Sequence, residues 1–326
     1  MFAKKWFFLK HRKLITAISS LIVIALIAIT VNLRKTKTYV IWQVPTEIAY
    51  ETDWLKEVFS GLNYEEIEDT KFEIYKDNAI VVVSTDKDVE KNTYFSNLSQ
   101  KNFKYGVVVL SDEFYSSSTE FYGTAKFVLR NYWHKKFSDQ KNILFFPLGY
   151  KKGFWGGNEN LKPKQAHERK YIWSFAGQIQ KSSRVFMINN MKKVPDFRIH
   201  ETFKWEDPNA LSVTDYRNIL LESVFVPCPR GWWNLDSFRL YEALECGCIP
   251  IVEKTPFDYF QKMFGSYPFL SVNSWDEAPE LINNYLSDPA ALEELRMECF
   301  SWWNNYKKGM QRSVSDVIHE KFEKQI

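Results

Sequence analysis

Residues 216–252 (YRNILLESVFVPCPRGWWNLDSFRLYEALECGCIPIV) place a strand, a loop and a helix in an order that suits an anionic ligand. The strand over 224–226 ends in the loop 227–231, and a helix is predicted to begin at Asp236 or Ser237, either of which can cap it. The free backbone N–H groups at such a helix start, together with Arg230, can bind a phosphate group. The sequence therefore predicts a phosphate site at this helix start.

The same predicted helix contains Arg239 and Glu242, which are three residues apart and therefore share a face. The Glu242 carboxylate is placed to accept hydrogen bonds from both hydroxyls of a ribose. The spacing equally fits a solvated Arg–Glu pair on a surface helix, and spacing alone leaves both interpretations open.

Patterns typical of other chemistries are absent from the sequence. No Asp-x-Asp pair follows a strand, since residues 86–88 (DKD) are predicted to be a solvated turn, so we expect no metal site. Cys246 and Cys248 lack a second Cys or His cluster with which to bind zinc. A Gly-x-Ser-x-Gly elbow and a Walker-type phosphate loop are also missing. Of the five scattered histidines, His134 is the one candidate for mutation.

Two tryptophan pairs and the cysteines leave structural alternatives open. Residues 232–233 (WW) either stack on a sugar or uracil ring or pack in the interior, whereas 302–303 (WW) are expected in the core. Cys228 is a candidate disulfide partner of Cys246 or Cys248 in an oxidising compartment, although sequence does not fix the connectivity.

The elements that must position these residues form two α/β halves. Short apolar runs separated by helix-length connections predict buried parallel strands in the first half at 39–42, 79–83, 106–110, 127–129 and 143–146. A polar break covers 151–170, and the alternation then restarts at 171–176 and continues to a helix over 289–306. We therefore predict two doubly wound domains, 38–160 and 161–326, which face a cleft that binds ligands at the carboxyl ends of the strands.

Composition excludes several classes of protein. The 326 residues suffice for two domains, and a net charge of +3 is too balanced for a protein that coats nucleic acid. Four cysteines are too few for a disulfide framework.

Residues 14–31 contain no charge, Gly or Pro, which predicts one transmembrane helix. Five Lys or Arg precede this segment and three follow it closely, which favours a cytoplasmic N-terminus. We therefore expect a cytoplasmic tail at 1–13, a signal anchor at 14–31, a stem at 32–37 and the remaining chain on the lumenal or external side. The alternatives are a cleaved signal peptide, which normally has a shorter apolar region, and an N-terminal core helix.

Several short motifs follow one another along the chain. They are 110–113 (LSDE), 130–133 (RNYW), 147–150 (PLGY), 175–177 (FAG), 182–184 (SSR), 228–231 (CPRG), 237–244 (SFRLYEAL) and 247–252 (GCIPIV). In this order they resemble the exostosin-type glycosyltransferase family. The pieces 239–243 (RLYEA) and 249–253 (IPIVE) are closer still to the branch typified by the ribitol β-1,4-xylosyltransferase of dystroglycan glycosylation.

The resemblance implies a GT-B architecture, with an acceptor-side Rossmann-like domain at 38–160 and a nucleotide-sugar-binding domain at 161–326. It implies a type II membrane protein of the Golgi or another secretory-pathway membrane, with a lumenal catalytic domain. It also implies inversion at the anomeric carbon, which requires one general base near the acceptor hydroxyl. In a bacterium, where nucleotide sugars are cytoplasmic, the catalytic domain would instead have to face the cytoplasm.

The resemblance also assigns donor-site residues. Gly177 would let the backbone approach the diphosphate, the arginines would offset its charge, Ser237 would bond a phosphate oxygen and Glu242 would hold the ribose. The implied nucleotide-sugar set is Gly177, Arg184, Arg230, Gly231, Ser237, Arg239 and Glu242.

On the acceptor side, Asp112 and Glu113 follow the strand over 106–110, so one of them is the candidate base, with Asp112 slightly preferred. The alternative for this pair is a helix cap whose carboxylate faces free N–H groups. Arg130 and Tyr132 are candidates for binding an acceptor phosphate or sugar, or else they brace neighbouring strands.

The sequence thus predicts a membrane-anchored, inverting glycosyltransferase without a metal or other cofactor. It would move a sugar from a UDP-sugar to a hydroxyl of a glycan, glycoprotein or polyol-phosphate acceptor. Xylose is the first candidate, and glucuronic acid, galactose and N-acetylglucosamine remain open. Homo- or hetero-oligomers are compatible with this function, and nucleic acid is not an expected partner. The alternative is a catalytically inactive exostosin-like scaffold or glycan-binding partner of another transferase.

Overall fold

The computed structural model describes residues 37–156 and 162–323. The predicted tail and signal anchor, and residues 32–36 of the stem, lie outside these described residues. No helix within the described ranges is long and apolar enough to cross a membrane. This part of the chain contains eleven strands and eight α-helices. The strands form two separate parallel sheets, as the apolar runs predict.

The first sheet has six strands in the order β2-β1-β3-β4-β5-β6. They are β1 (Thr38–Trp42), β2 (Tyr64–Glu68), β3 (Ala79–Val83), β4 (Tyr105–Val109), β5 (Val128–Arg130) and β6 (Ile143–Phe145). Every residue of β3 and β4 is buried, because successive side chains enter the hydrophobic clusters on opposite faces of the sheet. Burial on both faces explains why these strands are continuous apolar runs.

Two helices of the first domain are α1 (Thr52–Val58) and α2 (Asp88–Gln100). Residues 86–88, predicted to be a solvated turn, instead lead directly into α2. That helix was not predicted because its buried face includes Lys91, whose ammonium group lies 2.8 Å from Asp88 and donates to the Ser84 carbonyl at 2.6 Å.

The second sheet has five strands in the order β11-β10-β9-β7-β8. They are β7 (Tyr171–Gln178), β8 (Phe197–Thr202), β9 (Ser223–Cys228), β10 (Ile249–Glu253) and β11 (Leu270–Val272). The helices are α3 (Arg184–Met191), α4 (Val213–Leu221), α5 (Phe238–Glu245), α6 (Tyr259–Phe264), α7 (Ala278–Leu286) and α8 (Pro289–Glu323).

The last helix, α8, connects the two domains. It begins at the predicted residue but is longer than predicted, and its second half returns to the first domain. Trp303 is fully buried and stacks on Trp54 with ring centroids 5.6 Å apart, which confirms its predicted core position. The ammonium group of Lys307 lies 2.7 Å from the Glu245 carboxylate and 3.3 Å from that of Glu57, so one side chain joins α8 to both domains.

All four cysteines are buried free thiols, so the candidate disulfide between Cys228 and Cys246 or Cys248 is absent from the described residues. The Cys228 thiol donates to the Val226 carbonyl, and burial raises the pKa of the Cys246 and Cys248 thiols. These thiols therefore pack as small apolar side chains.

Candidate functional site

A cleft of about 340 Å³ lies between the two domains. Its walls come from the segments that follow the carboxyl ends of strands in both sheets, which is where parallel α/β sheets bind ligands. The first domain contributes Glu113, Tyr132, Leu148, Lys151 and Phe154, and the second contributes, among others, Gly177, Lys181, Arg184, Gly231, Asp236, Ser237, Phe238, Arg239 and Glu242.

Gly177, the penultimate residue of strand β7, makes room for Arg239 in this wall. Its φ of 140° disfavours any side chain, and a Cβ there would lie 2.8 Å from the Arg239 Nη2 atom. The Arg239 guanidinium donates from Nη2 to the Ala176 carbonyl at 2.6 Å and lies 4.3 Å above the Phe175 ring. The guanidinium is therefore fixed at the cleft, and its role as a phosphate ligand stays a prediction.

Two further cations, Arg184 and Lys181, lie beside Arg239. Arg184 is buried and donates to the carbonyls of Gln178 at 2.8 Å and Arg230 at 3.2 Å. Burial, together with the neighbouring positive charges, lowers the pKa of Arg184 to about 9 and that of Lys181 to about 8. No carboxylate of the described residues forms an ion pair with any of these three cations. Such mutual repulsion is relieved by an anion.

Three buried polar atoms at this end of the cleft have no hydrogen-bond partner in the described chain. They are Oγ of Ser237, Nε of Arg239 and Nε of Arg184. Ser237 is the N-cap residue of α5, so its hydroxyl lies beside the free N–H groups of the first helical turn. Buried polar groups normally have partners. A ligand with several oxygen acceptors, such as a phosphate, would therefore suit this end.

Glu242 projects from α5 into the same cavity and is only 6% exposed. Its Oε1 atom accepts a hydrogen bond from the Lys151 backbone N–H at 3.2 Å, a contact between the domains. Burial raises the pKa of this carboxyl. The alternative of a solvated Arg–Glu pair on a surface helix is therefore wrong.

Arg230 and Gly231 differ in their position relative to the other candidate donor residues. The Arg230 side chain is exposed and outside the cavity wall, while its carbonyl accepts from Arg184 and from Ser182 at 3.3 Å. Gly231 lies in the wall, where a Cβ would be 2.7 Å from Oε1 of Glu113. Its nearest neighbour is therefore a carboxylate of the other domain.

Asp112 and Glu113 face in different directions. Asp112 is 1% exposed; its Oδ2 lies 2.9 Å from Nη2 of Arg130, and its Oδ1 accepts from the backbone N–H of Ser116 at 2.9 Å. Glu113 instead lines the cleft. Of the two, Glu113 is placed to reach a ligand, in contrast to the slight preference for Asp112, whose oxygens are both occupied away from the cavity.

Arg130 and Tyr132 also have different positions. Arg130 is fully buried, donates to the Tyr122 hydroxyl at 2.7 Å and lies 4.2 Å above the Phe137 ring, so it braces the strand ends and does not line the cleft. Tyr132 lines the cleft with a left-handed φ of 59°. Burial and the nearby carboxylates of Asp236 and Glu113 raise its pKa.

Sequence reasoning missed Asp236 and Lys181 as cleft residues. Asp236 is 2% exposed, accepts a hydrogen bond from the Tyr241 hydroxyl at 2.5 Å and has a second oxygen without a partner in the described chain. Burial raises the pKa of Asp236 to about 7. Asp236 directly precedes Ser237, the N-cap residue of α5. This position beside the predicted phosphate site was the sequence signal that could have placed Asp236 in the cleft.

Trp232 and Trp233 are 59% and 69% exposed, so the alternative of interior packing is wrong for this pair. His134 caps a short turn by accepting from the Lys136 N–H at 3.0 Å. Within 37–156 and 162–323 no group of three or more His, Cys, Asp or Glu side chains could hold a metal ion.

Solved structures share this fold. HepE of Anabaena, determined in complex with UDP and glucose, has a TM-score of 0.54 and 7% identity, covering 86% of this chain and 99% of HepE. Because the identity is this low, the likeness shows the fold alone. That fold agrees with the predicted architecture of two parallel-sheet α/β domains of the GT-B type.

Curated relatives match at modest identity. Ribitol-5-phosphate xylosyltransferase 1 of Danio rerio is 27% identical over 176 residues, covering 48% of this chain and 39% of that protein. Exostosin-1b of Danio rerio is 29% identical over 101 residues, covering 31% of this chain and 12% of that protein. The chain therefore spans about two fifths of the length of the xylosyltransferase.

The family model described as RXYLT1 C-terminal domain matches residues 155–323, which is more than half of the chain. This match and the two relatives confirm the resemblance to exostosin-type glycosyltransferases and to the ribitol xylosyltransferase branch. The chain belongs to the RXYLT1 C-terminal domain family.

Proposed function

We propose that the protein is an inverting glycosyltransferase that takes a sugar from a UDP-sugar bound in the interdomain cleft. The observation on which this proposal depends is the cluster of Lys181, Arg184 and Arg239, three cations that form no ion pair in the described chain, in the same cavity as buried Glu242. The cations suit a diphosphate, and a buried carboxylate about one turn from the helix start suits the hydroxyls of the attached ribose.

Xylose is the proposed donor sugar, and a hydroxyl of a polyol phosphate or glycan is the proposed acceptor. Both choices come from the family and from the names of its curated relatives. The arginines contact the diphosphate in this proposal, so they do not select the sugar.

Glu113 is the proposed general base. Its carboxylate takes the proton of the acceptor hydroxyl as that oxygen attacks the anomeric carbon from the side opposite UDP. The bond between the anomeric carbon and the phosphate oxygen breaks, and its electron pair leaves with UDP. Lys181, Arg184 and Arg239 then stabilise the charge that develops on the leaving group, a role that fixed cations can fill without a metal ion.

The anchor and the compartment are proposals from the sequence alone. Residues 14–31 would hold the protein in a Golgi or other secretory-pathway membrane, with the cleft in the lumen. Association with itself or with another transferase is compatible with this topology. A catalytically inactive scaffold remains the second candidate function.

The test measures UDP release by the full chain in detergent, with a panel of UDP-sugars and ribitol 5-phosphate as the acceptor probe. We expect turnover with one donor, no change on adding a chelator, and loss in Glu242→Ala. The matched control is Glu280→Ala, because Glu280 is an exposed carboxylate on another helix of the same domain. Absence of UDP release, together with no thermal shift on adding UDP, would favour the scaffold.

A further inference from the structure

We infer that the loop 231–234 of the second domain positions the Glu113 carboxylate of the first domain. The carboxylate therefore has a fixed orientation only while the two domains are in contact. Glu113 lies in the loop after β4, and the positioning loop follows β9 in the other sheet. The inference rests on the proposed function, because it takes Glu113 as the base.

Two backbone N–H groups of this loop bind one oxygen of the carboxylate. Oε1 of Glu113 accepts from the N–H of Trp233 at 2.8 Å and from the N–H of Asn234 at 3.0 Å. Two donors on one oxygen fix the orientation of the carboxyl group, and the other oxygen, Oε2, remains available to accept a proton. Glu113 lies in the cleft wall, where that oxygen can meet an acceptor hydroxyl.

Gly231 provides the space for this contact. A Cβ at this position would lie 2.7 Å from Oε1 of Glu113, whereas the next nearest atom, the Asn234 carbonyl oxygen, would be at an ordinary 3.5 Å. Gly231 is not among the glycines with positive φ, so a side chain here is opposed by the position of the Glu113 carboxylate and not by the backbone conformation. We therefore assign Gly231 to the positioning of the base and not to the phosphate site.

The loop 231–234 has a fixed shape and a second link to the first domain. The Gly231 N–H donates to the Asn234 carbonyl at 2.8 Å, which closes the loop on itself. The Asn234 side-chain amide donates to the hydroxyl of Tyr115, two residues beyond Glu113. Residues 113–115 and 231–234 thus meet at three hydrogen bonds. If the domains moved apart, Glu113 would lose both N–H donors, so deprotonation of the acceptor is coupled to closure of the cleft.

The decisive variant is Gly231→Ala. The added methyl group would meet the flexible end of the Glu113 side chain, so the carboxylate is expected to move while the fold persists. A displacement of about 1 Å in a reacting group costs about 100-fold in rate. We expect kcat to fall roughly 10- to 100-fold, while UDP affinity and the KM for the donor stay within about twofold. Gly61→Ala is the control, because a Cβ at Gly61 has no neighbour within 4 Å.

Glu113→Gln completes a double-mutant cycle. Glutamine keeps an oxygen that accepts the two N–H bonds but does not take up the proton, so kcat should fall by about 100-fold or more while UDP affinity and Tm persist. Gly231→Ala added to Glu113→Gln should then lower kcat no further, because there is no longer a base to displace.

Full kcat in Gly231→Ala, or losses that multiply in the double variant, would overturn the inference and leave the proposed transferase intact. Full kcat in Glu113→Gln would remove Glu113 as the base and overturn the inference as well. A wild-type chain that neither binds UDP nor releases it from any UDP-sugar would instead overturn both proposals.

Discussion

The buried ion pair of Asp112 and Arg130 allows a test that separates a supporting carboxylate from a catalytic one. Asp112→Asn keeps the shape of the side chain and an oxygen for the Ser116 N–H, but it removes the charge 2.9 Å from the Arg130 guanidinium. Both side chains are at most 2% exposed, so the arginine would be left as a buried cation without its counter-charge. Removing one partner of such a pair typically costs about 3–5 kcal/mol.

That free-energy loss is large enough to be seen in a melting curve. Domains of about 150–250 residues lose roughly 2–4 °C of Tm for each kcal/mol, so Asp112→Asn should melt roughly 6–20 °C below the wild type. Turnover per folded molecule, measured well below that temperature, should stay within about threefold of the wild type. Glu113→Gln should show the opposite pattern, with a nearly unchanged Tm and a large loss of kcat.

The double variant Asp112→Asn/Arg130→Met checks the electrostatic origin of the instability. Removing both charges should recover part of the lost Tm, because the stranded cation is then gone. An Asp112→Asn protein that melts like the wild type but has lost about 100-fold in kcat would refute this reasoning and restore Asp112 as the base.

Three further outcomes follow from the donor end of the cleft. Glu242→Gln should weaken UDP binding by about tenfold in calorimetry, because an amide replaces a charged hydrogen-bond acceptor for the ribose hydroxyls. Gly177→Ala should also weaken UDP binding, because its Cβ would lie 2.8 Å from Arg239 and its φ is 140°; an unchanged Kd would contradict that packing. UDP affinity should fall as pH rises through about 8, where Lys181 loses its charge; Lys181→Met should bind more weakly at pH 7 and abolish this dependence.

The sequence predicted the central strands and missed elements at the sheet edges for a physical reason. Strands β3 and β4 are buried on both faces and therefore appear as uninterrupted apolar runs. Strand β2 (YEEIE) is an edge strand with mostly half-buried or exposed side chains, so it has no such run. Helix α2 was missed because its buried face includes the charged residue Lys91, whose ammonium group is stabilised by Asp88 and by the Ser84 carbonyl before the helix.

In the candidate site, too, residues close together in the sequence could be predicted as a group, whereas contacts between distant segments could not. Ser237, Arg239 and Glu242 belong to one short helix and its cap, so their spacing alone predicted that they lie together. The neighbouring residues Asp112 and Glu113 could not be distinguished, because their directions depend on Arg130 for one and on the loop 231–234 for the other. Those partners are 18 and 120 residues away in the chain.

The family match covers the second domain. Residues 155–323 include every donor-site candidate from Gly177 to Glu242, whereas Glu113 and Tyr132 lie before the matched segment. Under the proposed function, the donor side needs a few residues at fixed spacing on two strand ends and one helix, which a sequence comparison can follow. Under the same proposal, the acceptor side is built by contacts between segments that are distant in the chain. The contact of Glu113 with the loop 231–234 joins the two sides, because a loop within the matched segment binds the proposed base outside it.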